Sequence, residues 1–569
     1  MATPKEIFLE MLKPDARPQR QLLQYEALSM IFPDPAGMYL MEGCFPGSTS
    51  VNKWGVTVMW PAGTPGPTPH ITPENKVCPD VTRWKQFVHA PDLSNCMEGW
   101  EECAAMARQR AGEDKLNTAF MGTGIFEQCH FLMGFEDTLT NLYEHPQEMH
   151  ELIDYITDFR IAYAQLLMDK LQPEVIFSHD DWGTKEALFM SPEMWREFFK
   201  EPYRRFYGAI RDRGVIAIHH ADSYLAPIVE DMAEIGIQCW QGVLPENDIP
   251  ALQKRLQGRM ILMGGVGAAI DRPDSDEEEI RSYVREVLST CCPGGHFIPC
   301  ITYGLAGTVF PHVDPIINEE IAAYNAGLHL PAKPEVTIPR RRGQVQEQTA
   351  ASGEQAEASG QTLADLAAAL HKGKKKKVLT LTAQALEEGI APQTILSDGL
   401  VEGMTRLGED FSAGRAFVPE MLMAARCMNA ATEQLKPLLA GENTAAAGRV
   451  CLGTVRGDMH DIGKNLVKIM MEGCGLEVID LGTDVAPETF VKTAAEEHCD
   501  IIACSSLLTT CMMEMKQVVA LAKEAGIRDK VKILVGGAPI TQAFCDEIGA
   551  DAYTDDAAQA ARTAAAMLA

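Results

Sequence analysis

Short apolar runs separated by amphipathic stretches set the rhythm of residues 1–332. Residues 118–122, 175–178, 215–218, 235–238, 260–263 and 297–300 are each four or five residues long and almost wholly apolar. Runs of that length read as strands buried on both faces, and helical spacing of apolar positions over 146–171 and 191–213 fills gaps between them. The alternation predicts a parallel sheet covered by helices, and its extent favours a TIM-like (β/α)8 barrel over residues 1–332. Chemistry in such a barrel sits at the carboxyl ends of the strands. Those ends are polar here: His179-Asp180-Asp181, His219-His220-Ala221-Asp222, then Cys239 and Cys300.

The rhythm stops near Pro331. Residues 333–361 contain Arg340-Arg341-Arg342 and then a Gln, Glu, Ala, Ser and Gly-rich stretch. Too few apolar positions remain to build a core, so the segment reads as a flexible linker. From Thr362 helical spacing returns, as in Leu363, Leu366 and Leu370, and residues 362–446 predict a small antiparallel helical bundle. Over 447–569 the strand and helix alternation resumes, which predicts a Rossmann-like parallel sheet. The fold class is therefore α/β throughout, with the bundle between two parallel-sheet domains.

Composition narrows the partners. The 569 residues are too many for one core. A formal charge of −29 argues against nucleic acid or an anionic membrane as partner. The basic run Lys374 to Lys377 lies near Glu387 and Glu388 and reads as a solvated helix face. The 16 cysteines are thinly spread with no Cys-x-x-Cys pair. The chain opens without an apolar signal core, and no window approaches the ~18 apolar residues of a membrane span. A cytoplasmic protein with reduced cysteines is the expectation.

The sharpest chemistry lies in Gly457-Asp458-Met459-His460-Asp461-Ile462-Gly463-Lys464. This segment follows the apolar run 449–455 and precedes helical spacing, so the histidine sits on a strand-to-helix loop at a carboxyl sheet edge, where open α/β sheets bind ligands. Forty-five residues after His460, Ser505-Ser506-Leu507 ends the run 501–504, and 31 residues after Ser505 the pair Gly536-Gly537 ends 531–535. Three strand ends thus present a His, a Ser and a Gly pair along one rim. Neutral imidazole is a competent ligand for a first-row transition metal, and a carboxylate two residues earlier can accept the other ring N–H. Residues without bulk let the backbone approach a ligand closely.

This Asp-x-His-x-x-Gly, Ser-x-Leu, Gly-Gly series resembles the cobalamin-binding family that includes methionine synthase and the corrinoid proteins of anaerobic methyl transfer. The resemblance implies that the cofactor's own base swings into a slot and that His460 becomes the lower ligand of cobalt, oriented by Asp458. It further implies cofactor contacts from Asp461, Gly463, Ser505, Leu507, Thr509, Gly536 and Gly537, with Ala552-Tyr553-Thr554-Asp555 closing the slot near the nucleotide tail. The segment from Phe411 to Met421 is similar to the helical cap that precedes this domain in the family. That likeness implies that Phe411, Val418 and Met421 guard the upper face of the cofactor. One position departs: Cys511 stands six residues after Ser505, where methionine synthase has a serine in its proton relay. The relay either ends at Asp458 or tunes cobalt differently.

Asp181-Trp182-Gly183-Thr184, the segment Ser191-Pro192-Glu193-Met194-Trp195-Arg196-Glu197-Phe198 and Met263-Gly264-Gly265-Val266 resemble the uroporphyrinogen decarboxylase superfamily. Within it the likeness is to the corrinoid-dependent methyltransferases of methanol, methylamine and chloromethane metabolism. That branch binds zinc through a His-x-Cys and a late Cys. His219 matches the first ligand and Cys300 the last, but Ala221 stands in the middle. Either His220, Asp222, Cys239 or Asp181 completes a zinc set, or no metal binds and His219 with Asp181 forms an acid–base pair. The candidate catalytic residues are therefore His219, Asp181, His220 and Asp222.

Taken together, the two resemblances imply a corrinoid-dependent methyltransferase with its shuttle attached. It would move a methyl group between cobalt of bound cobalamin and a methyl halide, methoxy compound, methylamine, methyl thiol or methanol held in the barrel. The expected partners are that substrate, a methyl acceptor or second methyltransferase, and a corrinoid-reactivating protein. A non-enzymatic cobalamin carrier or sensor, an adenosylcobalamin-dependent mutase and a true porphyrinogen decarboxylase are the competing classes.

Overall fold

A computed structural model describes residues 2–61, 66–96, 98–272, 275–301, 310–327, 358–439, 448–458, 462–506, 511–537, 540–554 and 557–568. The chain divides into two compact units, Met1–Arg342 and Gly343–Ala569. No described helix is long and apolar enough to cross a membrane.

The first unit is built on seven parallel strands: β1 Leu28–Ile31, β2 Leu116–Met121, β3 Val175–His179, β4 Ile216–His220, β5 Cys239–Val243, β6 Ile261–Val266 and β7 Phe297–Ile301. They pair in chain order from β1 to β7. Continuous apolar sequence suits strands buried on both faces, and β5, β6 and β7 are buried at every position. Alternate residues Val175 and Phe177, Ile216 and Ile218, Ile261 and Met263, and Ile298 and Cys300 share one interior cluster. The helix Pro4–Met11 adds Ile7, Phe8 and Met11 to it. Gln24, in the segment before β1, donates its Nε2 to the Ile301 carbonyl of β7 at 3.5 Å. This is the wall of a barrel, as the alternation of strands and helices predicts.

Sequence and structure differ at three places in this unit. Residues 235–238 read as a strand, yet β5 begins at Cys239, because Gly236 at φ +108 breaks the extended run before it. Cys239 therefore opens a strand in the interior and does not end one. The short β1 and the antiparallel sheet of Ser48–Val51, Thr57–Trp60 and Thr68–Pro69 add strands ahead of the runs that the sequence marks. The helical stretch 191–213 holds a π-helical turn at Arg196–Lys200, just before Pro202, whose missing N–H cannot sustain the regular ladder.

The second unit opens with helices Ala358–His371, Lys375–Glu387, Glu402–Ser412 and Val418–Leu439, with a π turn at Ile395–Val401. A five-stranded parallel sheet follows: β8 Arg449–Thr454, β9 Glu477–Asp480, β10 Ile501–Ser505, β11 Lys532–Gly536 and β12 Ala552–Thr554. Its spatial order is β9-β8-β10-β11-β12, so the order in which strands are added reverses between β8 and β10. Ligands bind at such switch points in open sheets. Bundle and sheet share a core in which Leu366, Met404, Met421 and Met428 meet Val450, Leu452, Met470 and Leu534.

Candidate functional site

Two carboxyl edges carry chemistry, one in each unit. At the barrel mouth, β3 and β4 run in register with His179 opposite His220. The pairing lays the two imidazoles against each other, with centroids 4.8 Å apart and planes at 18°. His179 Nδ1 lies 3.0 Å from Glu127 Oε2, and its Nε2 lies 3.9 Å from Asp181 Oδ2. Asp181 Oδ1 accepts from Asp222 N at 3.1 Å and from Ser223 Oγ at 3.3 Å. His220 Nδ1 is hydrogen-bonded to Gln241 Oε1. Ligand atoms of Glu127, His179 and Asp181, and again of Asp181, His220 and Asp222, lie within 4.8 Å of one another.

Asp180, between the two functional neighbours, is the brace. Its carboxylate accepts from Phe126 N at 2.9 Å and Glu127 N at 3.0 Å, as well as from the Tyr203 hydroxyl. That holds the first turn of the helix Ile125–Met133 at the mouth and aims Glu127 at His179. The chain passes so close that a Cβ on Gly124 would lie 2.0 Å from the Asp180 carboxyl carbon. Glycine is obligatory there.

Burial and proximity divide the charges. Burial opposes a charge on His179, but the Glu127 carboxylate outweighs it and raises the imidazole to about 10. Burial and then the charge on His179 push His220 down to about 4, so it stays neutral and able to ligate. Burial and then Asp181 raise Asp222 to about 6. Burial and Glu127 raise Asp181 against the pull of His179.

The residues assigned from sequence separate. Asp181, His220 and Asp222 converge at the mouth. His219 does not, because neighbours on a strand point to opposite faces. Its ring lies among the helices, 4.2 Å from Trp182 at 24°, and its Nδ1 shares a 2.7 Å hydrogen bond with the Tyr207 hydroxyl. Burial, followed by the charges of His220 and His179, holds it well below the usual histidine range. Cys300 faces the interior cluster instead, and its thiol is pushed up by burial and by Cys239. The pair His219 and Cys300 therefore does not fit a shared zinc, and neither belongs to a ligand group among the described residues. The His-x-Cys spacing is met one residue later, by His220-x-Asp222. Glu127 escaped the sequence reading, although Gly124-x-x-Glu127 has the spacing of a capping box.

The second edge is made by absence of bulk. After β8 the chain turns through Gly457 at φ +82, whose N–H donates to Asp484 Oδ1 at 2.7 Å. Asp458 follows with no exposed surface, and its carboxylate accepts from Ser506 Oγ at 3.0 Å. Ser505 ends β10 opposite Gly536. At Gly537, φ is +126 and a Cβ would lie 1.9 Å from the Ser506 carbonyl oxygen, so no side chain fits. Among the described residues a Cβ on Gly463 would meet nothing within 4 Å, beside the first turn of the helix Ile462–Gly473. In that helix Lys464, 2% exposed, is paired with Asp480 at the end of β9. Bare strand ends, open space at Gly463 and an anchored carboxylate fit a large planar cofactor that needs close backbone approach. His460, Asp461, Leu507 and Thr509 lie outside the described residues. Val418 and Met421 are buried and Phe411 packs partly buried, the last two against the core shared by bundle and sheet.

Family comparisons match these units piece by piece. The uroporphyrinogen decarboxylase description matches residues 49–311, and two B12 binding domain descriptions match 362–436 and 448–562. The dimethylamine corrinoid protein of Methanosarcina barkeri is 43% identical over 208 residues, covering 36% of this chain and 97% of that protein. The chain belongs to the corrinoid proteins. A trimethylamine corrinoid protein of Methanosarcina mazei is 44% identical over 179 residues, covering 31% of this chain and 83% of that relative. A solved methanol:cobalamin methyltransferase complex from Methanosarcina barkeri is 29% identical, with a TM-score of 0.34, over 37% of this chain and 80% of its own. This corrinoid protein carries its cobalamin-binding domains on the same polypeptide as a uroporphyrinogen decarboxylase-type domain. That is the architecture of a corrinoid-dependent methyltransferase.

Proposed function

We propose that the chain moves a methyl group between a methylated amine held at the barrel mouth and the cobalt of cobalamin carried on its own second unit. The observation that carries the amine reading is the convergence of Asp181 and Asp222 on one mouth, beside a His179 whose charge Glu127 balances, since a cationic donor gains from carboxylates in a poorly solvated site. The named dimethylamine and trimethylamine relatives point the same way. Bound cobalamin supplies a cobalt centre that can accept and release methyl. His460 would hold it, Asp458 would orient that imidazole, and Ser505, Gly536 and Gly537 would leave room for the nucleotide tail.

At the mouth, Asp181, His220 and Asp222 have the donor set of a divalent cation such as zinc, and Gln241 fixes the ring of His220 as an outer partner would. A cation there would supply Lewis acidity toward a leaving or accepting atom. The chain's own groups do the rest. Glu127 keeps His179 protonated, and without a cation at the mouth Asp181 and Asp222 would orient the donor nitrogen themselves. Tethering raises the effective concentration of the cofactor at the mouth.

The test is to reconstitute the reduced full chain with cobalamin and offer methylated amines, methanol, a methoxylated aromatic, a methyl thiol and a methyl halide, following the visible absorption of the bound corrinoid. Spectral change with amines first supports the reading. A preference for an uncharged donor would overturn the amine assignment, and no change with any donor would leave a carrier without transfer activity.

A further inference from the structure

We infer that His179 is the fourth ligand of the cation that Asp181, His220 and Asp222 would hold, with Glu127 as the outer partner that fixes its ring. This rests on the reading of those three residues as a donor set. Ligand atoms of Glu127, His179 and Asp181 form one close group and those of Asp181, His220 and Asp222 another, and Asp181 belongs to both. The shared carboxylate makes the two groups one place.

The two histidines are built alike. Each Nδ1 is engaged by a side-chain oxygen, Glu127 Oε2 at 3.0 Å for His179 and Gln241 Oε1 for His220. A proton on Nδ1 leaves Nε2 to meet a metal, and outer partners of this kind fix that tautomer. Glu127 is itself anchored, since its Oε2 also accepts from Gly124 N at 3.1 Å and its own N donates to Asp180. Paired strands then set the two rings side by side at the mouth.

The open face of His179 has a telling distance. Its Nε2 stands 3.9 Å from Asp181 Oδ2, too long for a hydrogen bond. Two ligands each ~2.1 Å from one zinc ion lie roughly 3.4 Å apart at the tetrahedral angle, so a slight approach puts both on a cation. Asp181 Oδ1 is meanwhile occupied by Asp222 N and Ser223 Oγ, which leaves Oδ2 for that role. Both side chains are 29% exposed, so the cation can enter from solvent. Charge sets the number. One divalent cation against Glu127, Asp181 and Asp222 leaves a negative charge for a cationic donor, whereas two cations would leave a positive charge that repels it. A reacting atom then enters as a fifth ligand.

The experiment is a zinc titration of the full chain, stripped with a chelator and free of corrinoid, against a zinc-binding dye. Zinc that remains in His220→Ala is bound elsewhere and is subtracted. His179→Ala is expected to weaken the remaining site by about 100-fold, and Glu127→Gln by about 10-fold as an outer partner does. His219→Ala, on the other face of the strand, should bind as wild type does. With cobalt(II) in place of zinc, the visible band should change in His179→Ala as water replaces a nitrogen, and stay unchanged in His219→Ala. If His179→Ala does not fold, His179→Phe replaces it, keeping a ring against His220 and lacking the nitrogen. A His179 variant that binds zinc as tightly as wild type overturns the inference, as does a loss of two cations in His220→Ala. Equal zinc in wild type and His220→Ala removes the donor-set reading itself and this inference with it.

Discussion

The two carboxyl edges of this chain use one topology for opposite purposes. At the barrel mouth, strand ends project long polar side chains that shift one another's charge: His179 up to about 10, His220 down to about 4, Asp222 up to about 6. At the edge of the second sheet, the strand ends carry no long side chains: Gly537 packs against the Ser506 carbonyl, Gly536 against the Thr554 carbonyl, and Gly463 is open among the described residues. A small polar substrate has to be gripped by side chains that reach it. A cofactor as large as a corrin has to be admitted, which puts the demand on the backbone. Glycines in one region are thus the counterparts of carboxylates in the other.

The largest effect is expected from breaking the backbone approach. Gly537→Ala drives a Cβ to 1.9 Å from a backbone carbonyl at φ +126, and no rotamer change relieves it. A loss of about 3 kcal/mol or more in the second unit, with little corrinoid retained, is expected by urea titration and cobalamin stoichiometry. Gly124→Ala at the mouth drives a Cβ to 2.0 Å from the Asp180 carboxyl carbon and 2.1 Å from the Asp180 Cβ, so the turn that opens the helix Ile125–Met133 must shift, Glu127 loses its aim and donor turnover falls.

The next comparison lies within β4. His220→Ala removes an inward ring and should lower donor turnover by about 100-fold, the scale of losing a positioned acid, base or ligand, while cobalamin stays bound. His219→Ala removes a ring stacked on Trp182 in the helical layer. It should cost about 2–4 kcal/mol of stability in the first unit and leave the second unit's cobalamin spectrum unchanged. Equal loss of turnover in two equally folded variants would break the distinction between the faces of this strand.

That distinction marks how far the sequence could be read. The parallel-sheet units were legible because apolar runs of four or five residues with amphipathic helices between them admit few other folds. The cobalamin edge was legible because its three markers are local: each is a short motif ending its own strand. The mouth was only half legible. His219 and His220 are chemically identical on paper, and one residue of register decides which faces inward. Glu127 comes from a helix 52 residues away from His179 and shares no motif with it. Ser506 stood beside the motif serine, but only the crossing of two loops gives it the Asp458 carboxylate. Cys239 misled because apolar character does not say where a strand begins.

The smallest effect separates the units by acid. Asp480 in the second unit is opposed by burial, but Lys464 and then the Gly482 N–H hold its carboxyl below the usual range. The unfolded chain therefore takes up a proton before the folded one does as pH falls. Asp480 contributes stability that is present above the ordinary carboxylate value and is lost as pH drops through the lowered folded value. Asp34 in the first unit has the other sign. Burial raises it despite hydrogen bonds from Tyr163 Oη at 2.7 Å and Ala36 N at 2.9 Å. The folded chain keeps its proton longer, so stability falls as pH rises from the ordinary carboxylate value through the raised folded one. Urea midpoints of the two units between pH 3 and 6 should then move in opposite directions for the variants. Asp480→Asn should lower the second unit's midpoint near pH 6 and flatten its acid loss. Asp34→Asn, which keeps an acceptor for the helix cap, should flatten the decline of the first unit as pH rises. Parallel shifts in the two variants would mean that the charges of the two regions are not set independently by their own neighbours.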